Sequence, residues 1–214
     1  PFRFAEKAVA HGTTAVITNP HEIANVMGME GVEFMVRDGR GTPLRFFHTA
    51  PSCVPATRME TSGASLGAAD VEAMLERPDF VALGEMMDVW GVLNGDPGVM
   101  AKIDAARRTG KPVDGHCPGL RGEQLDRYIR AGISTDHECL GPEEAEEKRR
   151  KGMTVMVREG SASRDLEMLL PFAAVHRHFL VSDDVGATDL MEGHVDALLR
   201  KAVALGMEPM HAIR

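Results

Sequence analysis

The feature of this 214-residue sequence that most constrains its fold is a regular alternation of short apolar runs with longer amphipathic stretches. Short runs rich in β-branched residues predict strands, and stretches in which apolar residues recur every three to four positions predict helices. The predicted strands are residues 13–18, 44–49, 81–85, 112–116, 133–137, 153–158 and 179–183. The predicted helices are residues 70–77, 97–108, 122–131, 142–151, 164–175 and 193–205.

Strands that alternate with helices pair in parallel through crossover helices, which leaves two architectures. One is an open doubly wound sheet, and the other is a closed (β/α)8 barrel that lacks one unit. A doubly wound nucleotide-binding sheet carries a glycine-rich turn after its first strand, whereas here the first strand is followed by Asn19, Pro20, His21 and Glu22. The sequence therefore favours an α/β TIM-type barrel with seven of its eight strands present, as one domain over residues 1–214.

Composition excludes several classes of partner. A formal net charge of −8 argues against a surface that follows nucleic-acid phosphates. No segment approaches the roughly 20 consecutive apolar residues that cross a bilayer. The three cysteines are an odd number, which favours free thiols in a reducing cytoplasm over a disulfide framework. We therefore expect a cytoplasmic protein that binds neither nucleic acid nor a membrane.

Chemically capable side chains fall where the predicted strands end. Glu85, His116 and His137 end three consecutive strands, and Asp183 ends the last one. A single histidine after a strand is usually a loop residue, but the carboxyl ends of barrel strands meet at one mouth. Four such residues on four strands therefore favour a metal site, because imidazoles and carboxylates are ligands of divalent cations.

A site of this kind suits hydrolysis. A divalent metal lowers the pKa of bound water towards about 7. A carboxylate beside that water can accept its proton and pass it to the leaving group. Asp183, on the last strand, is the candidate for this role.

Longer motifs add a family resemblance to this interpretation. The sequence resembles the amidohydrolase superfamily and, within it, the bacterial adenine deaminase family. The stretches that carry the resemblance are residues 12–26, 51–57, 60–64, 91–97, 110–116 (Gly-Lys-Pro-Val-Asp-Gly-His), 136–138 (Asp-His-Glu) and 158–162 (Arg-Glu-Gly-Ser-Ala). The resemblance implies hydrolysis of adenine to hypoxanthine and ammonia at a binuclear Mn²⁺ or Fe²⁺ centre, with Zn²⁺ as an alternative.

The resemblance also implies roles for particular residues. Glu85 would bridge the metals, His116 and His137 would bind one of them, and Asp183 would be both a ligand and the proton shuttle. Either Glu159 or Glu138 would protonate a ring nitrogen. The remaining candidates for contact with the purine are Glu138, His21, Ser52 and Ser161, with ordinary turn roles as the alternative for the last three.

The sequence leaves two roles open for Arg158. It either contacts the substrate or forms a salt bridge with Glu159, its neighbour in the sequence.

Two departures from the family pattern shape the remaining expectations. The family's first strand, with its His-x-His pair, and its β-sandwich are missing, and His176 and His178 have that spacing only at the wrong end of the barrel. We therefore interpret the sequence as a fragment, with a barrel incomplete at both ends and little activity alone. A homodimer is compatible with the resemblance. The alternatives are an amidohydrolase acting on another nucleobase or a cyclic amide, or an inactive barrel that serves as a scaffold.

Overall fold

The computed structural model describes residues 1–214 as seven strands separated by helices. The strands are β1 Ala15–Thr18, β2 Arg45–Ala50, β3 Phe80–Met86, β4 Val113–Gly115, β5 Thr135–Asp136, β6 Thr154–Arg158 and β7 Phe179–Val181. The helices are α1 Phe2–Ala10, α2 His21–Arg40, α3 Ala68–Leu75, α4 Val89–Asn94, α5 Pro97–Thr109, α6 Gly122–Arg130, α7 Pro142–Arg150, α8 Leu166–Ala173, α9 Ala187–Glu192, α10 Val195–Ala204 and α11 Pro209–Ile213. Every predicted strand and helix overlaps one of these elements.

All strand pairs are parallel and follow the order of the chain. β1 to β4 form one sheet and β5 to β7 form another. An isolated parallel bridge between Val113 and Ile133 joins the two sheets, and the amide of Ser134 donates to the carbonyl of Val113 at 3.0 Å. The strands therefore form a parallel half-barrel, which confirms the α/β architecture. Closure into eight strands stays a prediction.

The apolar interior consists of two main clusters and a small third one beside α1. The larger cluster contains side chains of α2, α3, α5 and β3, and the smaller one surrounds β6 and α8. On β6, Val155 and Val157 are buried in the smaller cluster, while Met156 and Arg158 alternate onto the other face of the strand. This alternation directs Arg158, at the end of β6, away from the surrounding helices.

Two expectations from composition can be compared with the fold. Cys53, Cys117 and Cys139 are buried and free, as the sequence predicted. None of the helices has the length and apolar character that a bilayer span requires.

Candidate metal centre

Three of the predicted metal ligands converge at the carboxyl ends of adjacent strands. Glu85 lies near the end of β3, and His116 and His137 directly follow β4 and β5. Nδ1 of His116 lies 2.7 Å from Oε2 of Glu85, and Nε2 of His137 lies 3.3 Å from the same oxygen. The possible ligand atoms of the three residues all lie within 4.8 Å of one another.

A second set of donors shares His137 with the first. It consists of His137, Glu138 and Asp183, again with ligand atoms within 4.8 Å of one another. Oδ2 of Asp183 lies 3.9 Å from Nε2 of His137. The fold thus brings all four predicted ligands together, although they lie on strands far apart in the sequence.

Asp183 reaches this position with an unusual backbone conformation. Its φ angle is 51°, in the left-handed region that residues other than glycine seldom adopt. Its Oδ1 accepts a hydrogen bond from the amide of Asp184 at 2.7 Å. Strained backbone conformations of this kind cluster at functional sites, where the surrounding structure holds them in place.

Positive charge is favoured among the carboxylates and imidazoles of this site. Burial alone would raise the pKa of Glu85, but hydrogen bonds from His116 and His137 outweigh it and hold that pKa well below its usual range. Burial alone would lower the pKa of His137, but the carboxylates of Asp114 and Glu85 raise it to about 11. An imidazolium proton is therefore held among carboxylates, and a divalent cation binding to the same atoms would replace it. This donor set fits such a cation.

Two further residues orient the ligands, and sequence reasoning did not single them out. Asn19 donates from Nδ2 to Oε1 of Glu85 at 3.1 Å, and Thr49 donates to Oδ1 of Asn19 at 3.0 Å. Oδ2 of Asp114 lies 3.7 Å from Nδ1 of His137, the ring nitrogen that faces away from Glu85. A carboxylate behind a metal-binding histidine is the usual arrangement for fixing its tautomer. Asn19 and Asp114 both lie in stretches that carried the family resemblance, but their roles depend on contacts between strands.

The four candidates for contact with the purine lie in different environments. Glu138 belongs to the second donor set, and Nδ1 of His21 lies 3.7 Å from Oε1 of Glu85. Ser52 is buried, and its hydroxyl donates to the backbone carbonyl of Glu85. The hydroxyl of Ser161 donates to Asp189 and accepts from the amide of Gly186, both at 2.6 Å. Both serine hydroxyls thus hold loops at the strand ends.

Glu159 is not brought to the cluster. Its Oε1 accepts a hydrogen bond from Lys201 at 2.6 Å, and its Oε2 accepts one from the amide of Leu166, at the start of α8, at 3.2 Å. These contacts connect the end of β6 to α8 and α10.

Arg158 does not pair with Glu159, so that interpretation is wrong. Its guanidinium instead binds both carboxylate oxygens of Glu138 and lies 3.0 Å from Oδ2 of Asp183. It also donates from Nε to Asp165 at 3.1 Å. The reason is the alternation along β6, which places the side chains of Arg158 and Glu159 on opposite faces.

Parallel strands whose carboxyl ends carry imidazoles and carboxylates are typical of metal-dependent hydrolases. Residues 1–213 match the model of the amidohydrolase family, and the chain belongs to that family.

Two curated relatives are similar in sequence to this chain along its whole length. It is 55% identical over 214 residues to an adenine deaminase of Methanothermobacter thermautotrophicus, a match that covers 100% of this chain and 39% of the relative. It is 50% identical over 216 residues to an adenine deaminase of Salinibacter ruber, covering 100% of this chain and 40% of the relative. The chain thus spans about two fifths of the length of these curated relatives.

Solved structures show a similar fold at low identity. A TatD homologue from Escherichia coli has a TM-score of 0.64 and 14% identity, and the match covers 99% of this chain and 86% of that one. The carboxyl transferase domain of Rhizobium etli pyruvate carboxylase has a TM-score of 0.51 and 12% identity, over 99% of this chain and 42% of that one. At these identities the likeness concerns the fold alone.

Proposed function

We propose that this chain is the metal-binding part of an enzyme that hydrolyses adenine to hypoxanthine and ammonia. The observation that carries the proposal is the convergence of His116 and His137 on one oxygen of Glu85, with Glu138 and Asp183 facing the same ring nitrogen of His137. The similarity to proteins named adenine deaminase, at about half of all positions over the whole chain, supports adenine as the substrate.

The proposed metal ligands are Glu85, His116, His137 and Asp183. We propose a binuclear centre whose ions these four residues would hold, with Mn²⁺ or Fe²⁺ as the metal and Zn²⁺ as the alternative. Divalent metal bound there supplies water of lowered pKa and a positive charge that polarises the substrate. The dense negative charge around His137 and its raised pKa support a cation at this position.

Two carboxylates divide the proton transfers in this scheme. Asp183 accepts a proton from the attacking water and delivers it to the exocyclic nitrogen, which leaves C6 as ammonia. Glu138 donates a proton to a ring nitrogen and regains one from the hydroxyl on C6 as the amine leaves. We assign this role to Glu138 rather than Glu159 because Glu159 is bound to Lys201 and to the start of α8.

Arg158 binds both proton-transferring groups and is therefore proposed to orient them. It contacts Glu138 through two oxygens and Asp183 through one. His21, beside Glu85, is proposed to face the purine. Direct contact of Ser52 or Ser161 with the purine stays a prediction, as does a homodimer.

A substrate panel tests this function in the full-length gene product that contains this chain. Ammonia release is measured with adenine, guanine and cytosine, and ring opening with dihydroorotate, after loading with Mn²⁺. We expect kcat/KM for adenine to exceed that for each other compound by at least about 100-fold, because buried polar groups reject a substrate that leaves them unpaired. Preference for another compound would indicate a different amidohydrolase. Turnover of none by the metal-loaded protein would indicate an inactive barrel.

A further inference from the structure

A buried ion network lies behind the two metal-binding histidines. The side chains of Asp136 and Lys148 are fully buried, and that of Glu144 is 4% exposed. Nζ of Lys148, on α7, lies 2.8 Å from Oδ2 of Asp136 and 2.6 Å from Oε1 of Glu144. Two carboxylates thus share one ammonium group in the interior, where unpaired charge is costly. Nothing in the proposed proton transfers uses these residues.

The hydrogen bonds of Asp136 lead to the backbone beside each histidine. Oδ1 accepts from the amide of Cys117 at 2.8 Å, and Oδ2 accepts from the amide of Glu138 at 3.0 Å. Cys117 directly follows His116, and Glu138 directly follows His137. One carboxylate therefore holds the peptide that comes after each metal ligand.

Lys148 and Glu144 hold the same two loops at additional points. Lys148 donates to the carbonyl of Cys117 at 2.9 Å. Glu144 accepts from the amide of Gly119 at 2.9 Å, in the loop after β4, and from the amide of Leu140 at 3.2 Å, in the loop after β5. Each loop is therefore attached to both carboxylates.

The strands themselves offer little support at this point. β4 has three residues and β5 has two, and their backbones are linked by the single bridge between Val113 and Ile133, with a side-chain hydrogen bond from Thr135 to Asp114 beside it. So short a ladder contributes little to the relative position of the two loops. The ion network connects them across this weak point in the sheet.

We propose that Asp136, Lys148 and Glu144 are positioning residues that hold His116 and His137 in the geometry needed to bind a divalent cation together with Glu85. The inference rests on the proposed metal centre. Residues that orient metal ligands in this way typically change metal affinity by about 10–100-fold when replaced.

The test is the dissociation constant of Mn²⁺, measured by competition with a chelator in the full-length gene product. Lys148→Met removes the ammonium group that holds the two loops, so the positions of His116 and His137 are less fixed. It also removes a positive charge near the cation. Positioning predicts binding about 10-fold weaker or more. A purely electrostatic role predicts tighter binding, and a role in folding alone predicts a lower melting temperature with unchanged affinity below it.

Two further variants make the result decisive. Glu144→Gln keeps Lys148 paired with Asp136 but has a single oxygen for two amides, so we expect a loss of affinity of about threefold or more. If Lys148→Met does not fold, the affinity of Glu144→Gln alone tests the positioning role. The matched control is Glu146→Gln on the same helix, since Glu146 pairs with Arg149 and Arg150 and touches neither loop. We expect the control to keep the wild-type constant.

The outcomes separate this inference from the proposed function. Failure of the wild-type protein to bind Mn²⁺ would contradict both. Wild-type binding together with unchanged or tighter binding in the folded variants would overturn the positioning role alone.

Discussion

Glu85 is the residue on which most contacts of the candidate site converge. One carboxylate oxygen faces His116 and His137, and the other accepts the hydrogen bond from Asn19. Both oxygens are thus held in fixed directions by groups from three other strand ends. These contacts fix the orientation of the carboxylate that we propose as a metal ligand.

Replacement of this carboxylate by an amide tests its proposed role as a metal ligand. Glu85→Gln keeps the shape but removes the charge, so we expect Mn²⁺ affinity to fall by at least about 100-fold, the upper limit for residues that merely orient ligands. Metal content after dialysis is the measurement. The control is Glu22→Gln, at the same mouth but with a side chain 63% exposed, which should retain wild-type metal content. Equal metal content in the two variants would contradict the role of Glu85.

The two glutamates that sequence reasoning left as alternatives provide a second test at this scale. Glu138→Gln should lower kcat by about 10²–10⁴-fold, the usual contribution of a positioned acid or base. Glu159→Gln should leave kcat within about threefold but lower stability, because its contacts hold α8 and α10. Steady-state kinetics and urea unfolding of both variants check this. A larger loss of kcat in Glu159→Gln would reverse the assignment.

Among the elements of secondary structure, α2 is the longest for which the sequence carried no prediction. Its 20 residues include Gly28, Gly31 and Gly39, which weaken helical propensity and interrupt the apolar pattern. The chain is kinked at Gly28, where φ is 58° and ψ is −140°. A periodic signal cannot cross such a break, so the segment carried no helix prediction.

The kink gives a stability prediction. A Cβ at Gly28 would lie 3.2 Å from Cβ of Ala64, and the backbone there is one that L-residues rarely adopt. Gly28→Ala should therefore destabilise the protein by about 1–3 kcal/mol. Gly41→Ala is the matched control, because nothing lies within 4 Å of its Cβ position and its φ is −90°. Urea unfolding should leave the control within about 0.5 kcal/mol of wild type. Equal effects of the two substitutions would contradict a requirement for glycine at the kink.

Features that depend on the local sequence pattern were predictable, whereas features that depend on contacts between distant residues were not. Strand positions and the residues at their ends follow from periodicity, so Glu85, His116, His137 and Asp183 could be predicted together. The helix α7, Pro142–Arg150, is highly charged and looks solvent-exposed in sequence, yet its Lys148 is fully buried. Its partner Asp136 lies in another element, a pairing that no local pattern reveals.

In the molecule as a whole, the N-terminal and C-terminal helical regions contact each other, while the outer edges of β1 and β7 are unpaired. Oγ1 of Thr13 lies 2.8 Å from Nδ1 of His194, and the rings of Phe4 and His194 are 5.3 Å apart. β1 and β7 each pair with a single neighbour. Unpaired strand edges are available for pairing with further backbone. An eighth strand at these edges stays a prediction.

Three buried histidines, dispersed over the molecule, predict how stability depends on pH. Burial lowers the pKa of His48, His178 and His194. In the unfolded chain each titrates near about 6.5, so the unfolded state binds more protons below that pH and stability falls as pH decreases from about 6.5 to 5. His137 behaves oppositely, since its raised pKa gives stability that is fully present below about pH 6.5 and is lost at higher pH.

Urea midpoints of the metal-free protein between pH 7 and pH 5 measure this dependence. Each histidine adds up to about 1.4 kcal/mol per pH unit to the slope. His178→Gln should reduce the slope by up to that amount. A midpoint that does not change over this range would contradict the burial of three neutral histidines.

A catalytic metal at the strand ends is tested by measuring hypoxanthine formation as a function of bound Mn²⁺ in the full-length gene product, after removal of metal by chelation. We expect no turnover of adenine without metal and a rate that rises with bound metal, in wild type but not in Glu85→Gln. Undiminished turnover in the metal-free protein would contradict a catalytic metal centre at the strand ends.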